Sequence, residues 1–196
     1  MRWRAVVIGV LFASGGVARD LSATQFLHAD LPEIVDRSQW AFQGRCTDRH
    51  VDVFSVDQFP KGILVTVYTF HVDHWIKGQE GNDSTFRFAE WGAKTDECRQ
   101  RGFSCPIGGV QYEVNRDYIL FLIAPSSLHL PVPLTSPVAF EDGAFQIIDA
   151  PDGTKSVKNR SSLTKTFSLG KEKGGVQKSE IPISDFLRMV GELQRP

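Results

Sequence analysis

The sequence predicts a mainly β domain: five or six strands coiled into a small barrel, with one short helix before them and one after. Three observations lead there. The fourteen residues from Ile63 to Ile76 contain no Gly or Pro and are dominated by β-branched and aromatic types, which suits a pleated surface. The first half of that run is apolar at both parities, as in a strand covered on both faces. Its length exceeds the usual strand of about five or six residues, and long coiled strands are typical of small closed barrels.

Taken in order, Ala29 to Ser38 reads as a short helix, with Asp30 as N-cap, Pro32 in the first turn and Leu31, Ile34 and Val35 as an apolar face. Gln39 to Val53 alternates through Trp40, Phe42, Gly44 and Cys46 as a first strand, where Gly44 permits a sharp bend. Ser55 to Gly62 closes a hairpin into the long strand. One face of that strand is expected to carry Leu64, Thr66, Tyr68, Phe70, Val72 and His74. The other carries Ile63, Val65, Val67, Thr69, His71, Asp73 and Trp75, before Lys77-Gly78 turns the chain.

Gln79 to Asp83 is a turn, and Ser84 to Trp91 a third strand with Phe86 and Phe88 on one face. Gly92 to Val110 reads as one long loop, a length that tends to carry function. Tyr118 to Ala124 is the most hydrophobic strand, and the proline-rich Pro125 to Pro137 an extended connection. Val138 to Ile148 is a strand or hairpin turning at Gly143, and Lys155 to Asn159 a short return strand after the Ala150 to Gly153 turn. Residues 161–179 are rich in Gly, Ser and Lys and read as a mobile, basic, solvated excursion. Ile181 to Leu193 is a helix capped by Ser184, with Phe186, Leu187, Val190 and Leu193 as its apolar stripe.

The 196 residues carry a net charge of -1 and are 41% hydrophobic, which fits one ordinary domain and gives no global argument for nucleic acid or anionic membranes. Arg2 and Arg4 precede the apolar run Ala5 to Ala13 and the small residues to Ala18. That pattern reads as a secretory signal peptide over 1–18, leaving 19–196 as a single domain without a transmembrane segment, periplasmic or secreted. In an oxidising compartment, Cys46, Cys98 and Cys105 allow one intramolecular bridge. Cys98 with Cys105 is the favoured pair because both lie in the same polar loop; a Cys46 pairing stays open.

Three blocks carry a family likeness: Val67-Tyr68-Thr69 with Val72 and Ile76-Lys77-Gly78; Val114 to Leu122 (VNRDYILFL); and Asp142 to Ile147 (DGAFQI) followed by Asp152-Gly153. Together they resemble a group of exported bacterial proteins with a netrin-module-like OB barrel, similar to the inhibitory domain of the tissue inhibitors of metalloproteinases (TIMP-like). The likeness spans roughly Asp30 to Leu193 and implies an OB-like barrel. It does not carry the inhibitory mechanism over. Those inhibitors chelate the protease zinc through a cysteine at the mature N-terminus, whereas the expected mature chain starts at Arg19 and its first cysteine is Cys46.

Catalytic and metal chemistry find little support. His71 and His74 fall at opposite parities of a regular strand and cannot converge with Asp73 without a bulge. Cys46 has no glycine-rich or helix-terminal context to lower its pKa. The chain lacks HExxH, GxSxG, P-loop and dinucleotide fingerprints. The expectation is therefore a non-enzymatic module without a cofactor or metal. It would bind another exported protein, such as a secreted peptidase, and no nucleic acid. Its expected contact residues are Arg99, Arg101 and Phe103 in the long loop and Trp75 and Trp91 at the barrel rim. The alternative is a glycan or small-ligand binding module using Trp75 and Trp91, since aromatic side chains on such folds stack on sugar rings.

Overall fold

The computed structural model describes residues 29–78, 84–104, 111–149, 153–159 and 180–195; the expected signal segment, the Gln79 to Asp83 turn, Cys105 and the basic stretch 161–179 lie outside them. Seven strands form one sheet: β1 (Trp40–Val56), β2 (Phe59–Lys77), β3 (Thr85–Trp91), β4 (Asp117–Leu122), β5 (Ala144–Asp149), β6 (Lys155–Asn159) and β7 (Glu180–Pro182). Their order is β3-β2-β1-β4-β5-β6-β7, with every neighbouring pair antiparallel. Among the described residues three helices accompany them: α1 (Leu31–Arg37), α2 (Thr95–Gln100) and α3 (Ile183–Leu193).

The expected OB-like barrel is not what forms. The sheet is open, with β3 and β7 as its two edges. The chain that reaches both the β3 edge and β4 is the proline-rich connection, and proline has no N–H to give to a ladder. It meets β3 at one residue, through Ala89 N–H to Pro133 O (2.8 Å) and Thr135 N–H to Ala89 O (2.9 Å). It meets β4 through a single bridge between Leu122 and Pro137. A strap crosses the opening where a barrel would need a strand.

β1 and β2 form the long hairpin, and the start of β1 and the middle of β2, from Ile63 to Tyr68, are covered on both faces. On one face Phe42, Tyr68, Phe70, Phe88, Tyr112, Tyr118 and Leu120 pack as an aromatic-rich core. On the other, α1 and α3 cover Ala41, Ile119, Phe121, Phe145 and Val157. Farther along β2, the strap covers Ile63, Val65 and Val67. The apolar character of β2 at both parities thus has two different covers.

The parity expected for the end of β2 fails at a bulge. Gln43 pairs with His74 but Gly44 with Val72, so Asp73 is the extra residue. The slip sends Trp75 to the aromatic core with Phe70 and Val72. It also leaves His71 and His74 on the same exposed side, not opposite ones. Gly44 matters at this crossing, because a Cβ there would strike the backbone carbonyl of His71.

The Asp30 cap is as expected: its carboxylate accepts from Glu33 N–H at 2.9 Å, and Lys77 Nζ reaches the other end of α1 at Val35 O (2.8 Å). α3 starts later than expected, because Glu180–Pro182 pairs with β6 as a strand. Ser184 therefore sits inside the first turn and does not cap it, and Leu193 is exposed while Met189 joins Phe186 and Val190 in the buried stripe. Gly143 lies in the turn before β5, so Val138 to Gly143 is turn, not strand.

Candidate functional site

The stretch expected to be a single loop contains α2. Its polar sequence, TDECRQ, has one buried residue, Cys98, so its anchor is electrostatic. Glu97 accepts from Lys94 N–H at 3.0 Å, closing the first turn. The same carboxylate grips Arg49 of β1 with both oxygens, at 2.9 and 2.6 Å. This fork geometry is the strong form of an ion pair. Hydrogen bonding from Arg49 holds the Glu97 carboxyl below its ordinary value, and the same bond raises Arg49.

Between α2 and the end of β3 lies a recess of about 390 Å³, lined among others by Thr66, Tyr68, Glu90, Trp91, Asp96 and Gln111. That volume falls within the range of small-ligand sites. β3 ends at Gly92, whose φ of 91° turns the chain into the left-handed region that favours glycine. Gly92 is held from both sides: its N–H donates to Leu64 O (2.8 Å), and its carbonyl accepts from Thr66 Oγ1 (2.8 Å).

The lining is polar where it is deepest. Glu90 is only 7% exposed and accepts from the Tyr112 hydroxyl at 2.9 Å. Tyr68 is fully buried, and its phenol is pushed well above its ordinary range, by burial first and by the charge of Glu90 second. At the rim the order reverses. Trp91 is 46% exposed and meets Phe59, itself 38% exposed, edge to face with ring centroids 5.5 Å apart.

The expected site residues do not gather at one place. Trp91 lines the recess. Arg99 and Arg101 are exposed at the far end of α2, with Phe103 half-buried beyond them, and none of the three lines the recess. Trp75 belongs to the core, with its ring 5.4 Å from both Phe42 and Phe86. Trp91 pairs with Val65, so Trp75 lies roughly 30 Å farther along β2 at ~3.3 Å per residue. A rim that uses both tryptophans does not exist.

Cys46 is the free, buried thiol, raised to about 11 chiefly by burial, which is the reverse of an activated nucleophile. Cys98 is disulfide-bonded. Cys105, its expected partner, lies outside the described residues. Among the described residues no three His, Cys, Asp or Glu side chains form a metal-holding group, and no helix is long and apolar enough to cross a membrane.

Sequence reasoning missed Glu90, Tyr68, Tyr112 and Gln111. One signal was present. Phe86, Phe88 and Glu90 share a parity, so the strand that buries both phenylalanines must also bury a carboxylate. No family model, curated protein or solved structure matches the chain.

Proposed function

We propose that this chain is a non-enzymatic, exported binding module that engages another protein at the β3–α2 recess. The observation that carries the reading is the exposed Trp91, which contributes to the lining of a preformed polar recess and packs on the exposed Phe59. Aromatic anchors beside a desolvated pocket are the usual centre of a protein contact. Four features hold the recess in shape before any partner arrives: the Arg49–Glu97 clamp, Gly92, the Thr66 bond and the proposed Cys98–Cys105 staple. Preorganisation of this kind raises affinity by reducing what must be ordered on binding. A secreted peptidase is one partner class the reading accommodates, and its effect would be a change in that peptidase's activity.

The test places a photocrosslinking amino acid at Trp91 and, as a control, at Leu193 on α3. The expected result is one adduct from the Trp91 position in periplasmic or culture fluid, identified by mass spectrometry. With the purified partner, binding is lost on Trp91→Ala. No adduct, or the same adduct from Leu193, refutes the proposal. A second reading, glycan binding, is favoured by the exposed Trp91 and the polar Glu90 and Gln111 all contributing to the lining of one recess, residue types that suit sugar recognition. It now rests on Trp91 without Trp75, and a glycan array with Trp91→Ala decides it.

A further inference from the structure

We infer that β1 carries a docking edge for a second copy of this chain. The segment from Asp48 to Phe54 pairs antiparallel with the same segment of another molecule, with Val51 on the two-fold axis. β1 is longer than one of its neighbours. β4 pairs with it only from Trp40 to Arg45, and Asn115 and Arg116 bond Cys46 just beyond. From Asp48 to Phe54 the register with β2 is unbroken, with an irregularity at either end. Along the opposite edge of that segment no strand pairs with it among the described residues. An open ladder of this kind is a template for another strand.

Pairing fixes which backbone groups face this edge. Leu64 stands opposite Val53, and its carbonyl accepts from Gly92 N–H on the β3 side at 2.8 Å. Val53 and Leu64 are therefore a non-hydrogen-bonded pair, and the N–H and C=O of Val53 point away from β2. By alternation, those of Val51 and Arg49 do the same. Val53 shows how the edge is satisfied in a single molecule: its N–H donates to Oδ1 of the preceding Asp52 at 2.8 Å.

Three outward residues with Val51 in the middle suit a two-fold pair. Val51 exchanges both bonds with its own copy, and Arg49 exchanges both with Val53 of the other molecule, at each end. The side chains agree with this register. Asp48, His50 and Asp52 are exposed, and His50 falls opposite Asp52 of the second copy, twice over. Val53 N–H passes to the Arg49 carbonyl of the second copy, which releases Asp52 for that contact. His50 Nδ1 already lies 2.8 Å from an Asp48 carboxylate oxygen; as imidazolium the ring donates there and, from Nε2, to the incoming Asp52. The neighbouring registers are worse, because like charges directly opposite are destabilising. An axis at His50 sets Asp48 against Asp52, and an axis at Asp52 sets that carboxylate against itself. Charge complementarity thus selects a second copy and fixes its register.

Sedimentation equilibrium of the purified chain at about pH 6, where histidine is readily protonated, is expected to show a reversible dimer. Its Kd should be about 100 μM, as suits a small interface. Val51→Cys should form a disulfide-linked dimer under mild oxidation, because Cα atoms of a directly bonded pair lie about 5.5 Å apart, within disulfide reach. Val53→Cys should not link, since its counterpart is four residues away along the strand, about 13 Å. Asp52→Lys should weaken the dimer about tenfold, and His50→Glu combined with Asp52→Lys should bring it back to within about threefold of wild type. A chain still monomeric at about 1 mM overturns the inference. Equal linking of Val53→Cys does so too, as does a dimer that Asp52→Lys leaves unchanged or that the double exchange fails to restore. A Val51→Cys thiol that links only to a different protein overturns the second copy as occupant. If Val51→Cys does not fold, the charge exchange decides. The recess reading stands or falls separately, because it does not use this edge.

Discussion

Trp75 and Trp91 stand at opposite ends of the long hairpin, and the comparison between them separates packing from recognition. Trp75 is wedged among Phe42 and Phe86, with Trp40 also against Phe86 at 5.3 Å. Its ring contacts are with other aromatic side chains, and the cluster it joins is apolar. Among the described residues Trp91 has one aromatic neighbour, Phe59, and it contributes to a recess floored by Glu90, Thr66 and Tyr68. What differs is the company each residue keeps. At one end the sheet face is filled by rings; at the other, β3 stops, Gly92 turns, and α2 stands off the sheet on a salt bridge.

The largest way to test that contrast is to remove the packed indole. Trp75→Ala should destabilise the fold by about 3 kcal/mol, the low end for aromatic truncation because Trp75 is only partly buried. Denaturant unfolding measures it. Trp75→Phe should cost far less. It keeps a ring against Phe42 and Phe86 and removes a buried indole N–H that finds no acceptor among the described residues. If Trp75→Ala proves as mild as a surface change, the packing role assigned to that end is wrong.

Next in size is the clamp that holds α2 off the sheet. The Arg49 and Glu97 side chains are 15% and 27% exposed, between the surface pairs worth under ~1 kcal/mol and the buried ones whose rupture costs about 3–5. Glu97→Gln should therefore cost about 2 kcal/mol at neutral pH. The pH dependence has a definite sign. Arg49 depresses the folded-state value of Glu97 below its ordinary 4.5, so the contribution is complete above about pH 4.5. It is lost as pH falls through the depressed value. The gap in stability between the wild-type chain and Glu97→Gln should close on acidification, and a gap that persists at pH 2 would show that the carboxylate charge is not what secures α2.

What the sequence disclosed follows the range of the interactions involved. The β2 run from Ile63 and the Asp30 cap of α1 depend on neighbours in sequence, and both are where their residues put them. The six-residue α2 was hidden because its anchor, Arg49, lies 48 residues away, and its polar sequence has no apolar period to read. The bulge at Asp73 was hidden because register is set by the partner strand, and a one-residue slip reverses every parity after it. Closure of the sheet was misjudged for a related reason. Strand length sets how far a sheet can coil, but the prolines in the returning segment decide whether a ladder can shut it. Of the expected contact residues, Trp91 alone reached the recess. Trp75 was lost to the bulge, and Arg99 and Arg101 to the direction of a helix not foreseen.

The smallest expected effect on stability is also the one that bears most directly on function. Trp91→Ala removes a half-exposed ring that packs on Phe59, which is also exposed, so stability should change by no more than about 0.5 kcal/mol. Binding of the partner should nevertheless weaken by about thirtyfold or more, since truncating an aromatic anchor can cost about 2 kcal/mol or more at an interface. The two measurements have to be made on the same protein, because either alone is ambiguous. A variant that loses both stability and binding would make Trp91 a packing residue like Trp75. A variant that loses neither would leave the aromatic rim without a function. Stability kept and binding lost is the pattern that only a recognition surface produces, and it differs from the pattern expected for Trp75→Phe, where both are kept.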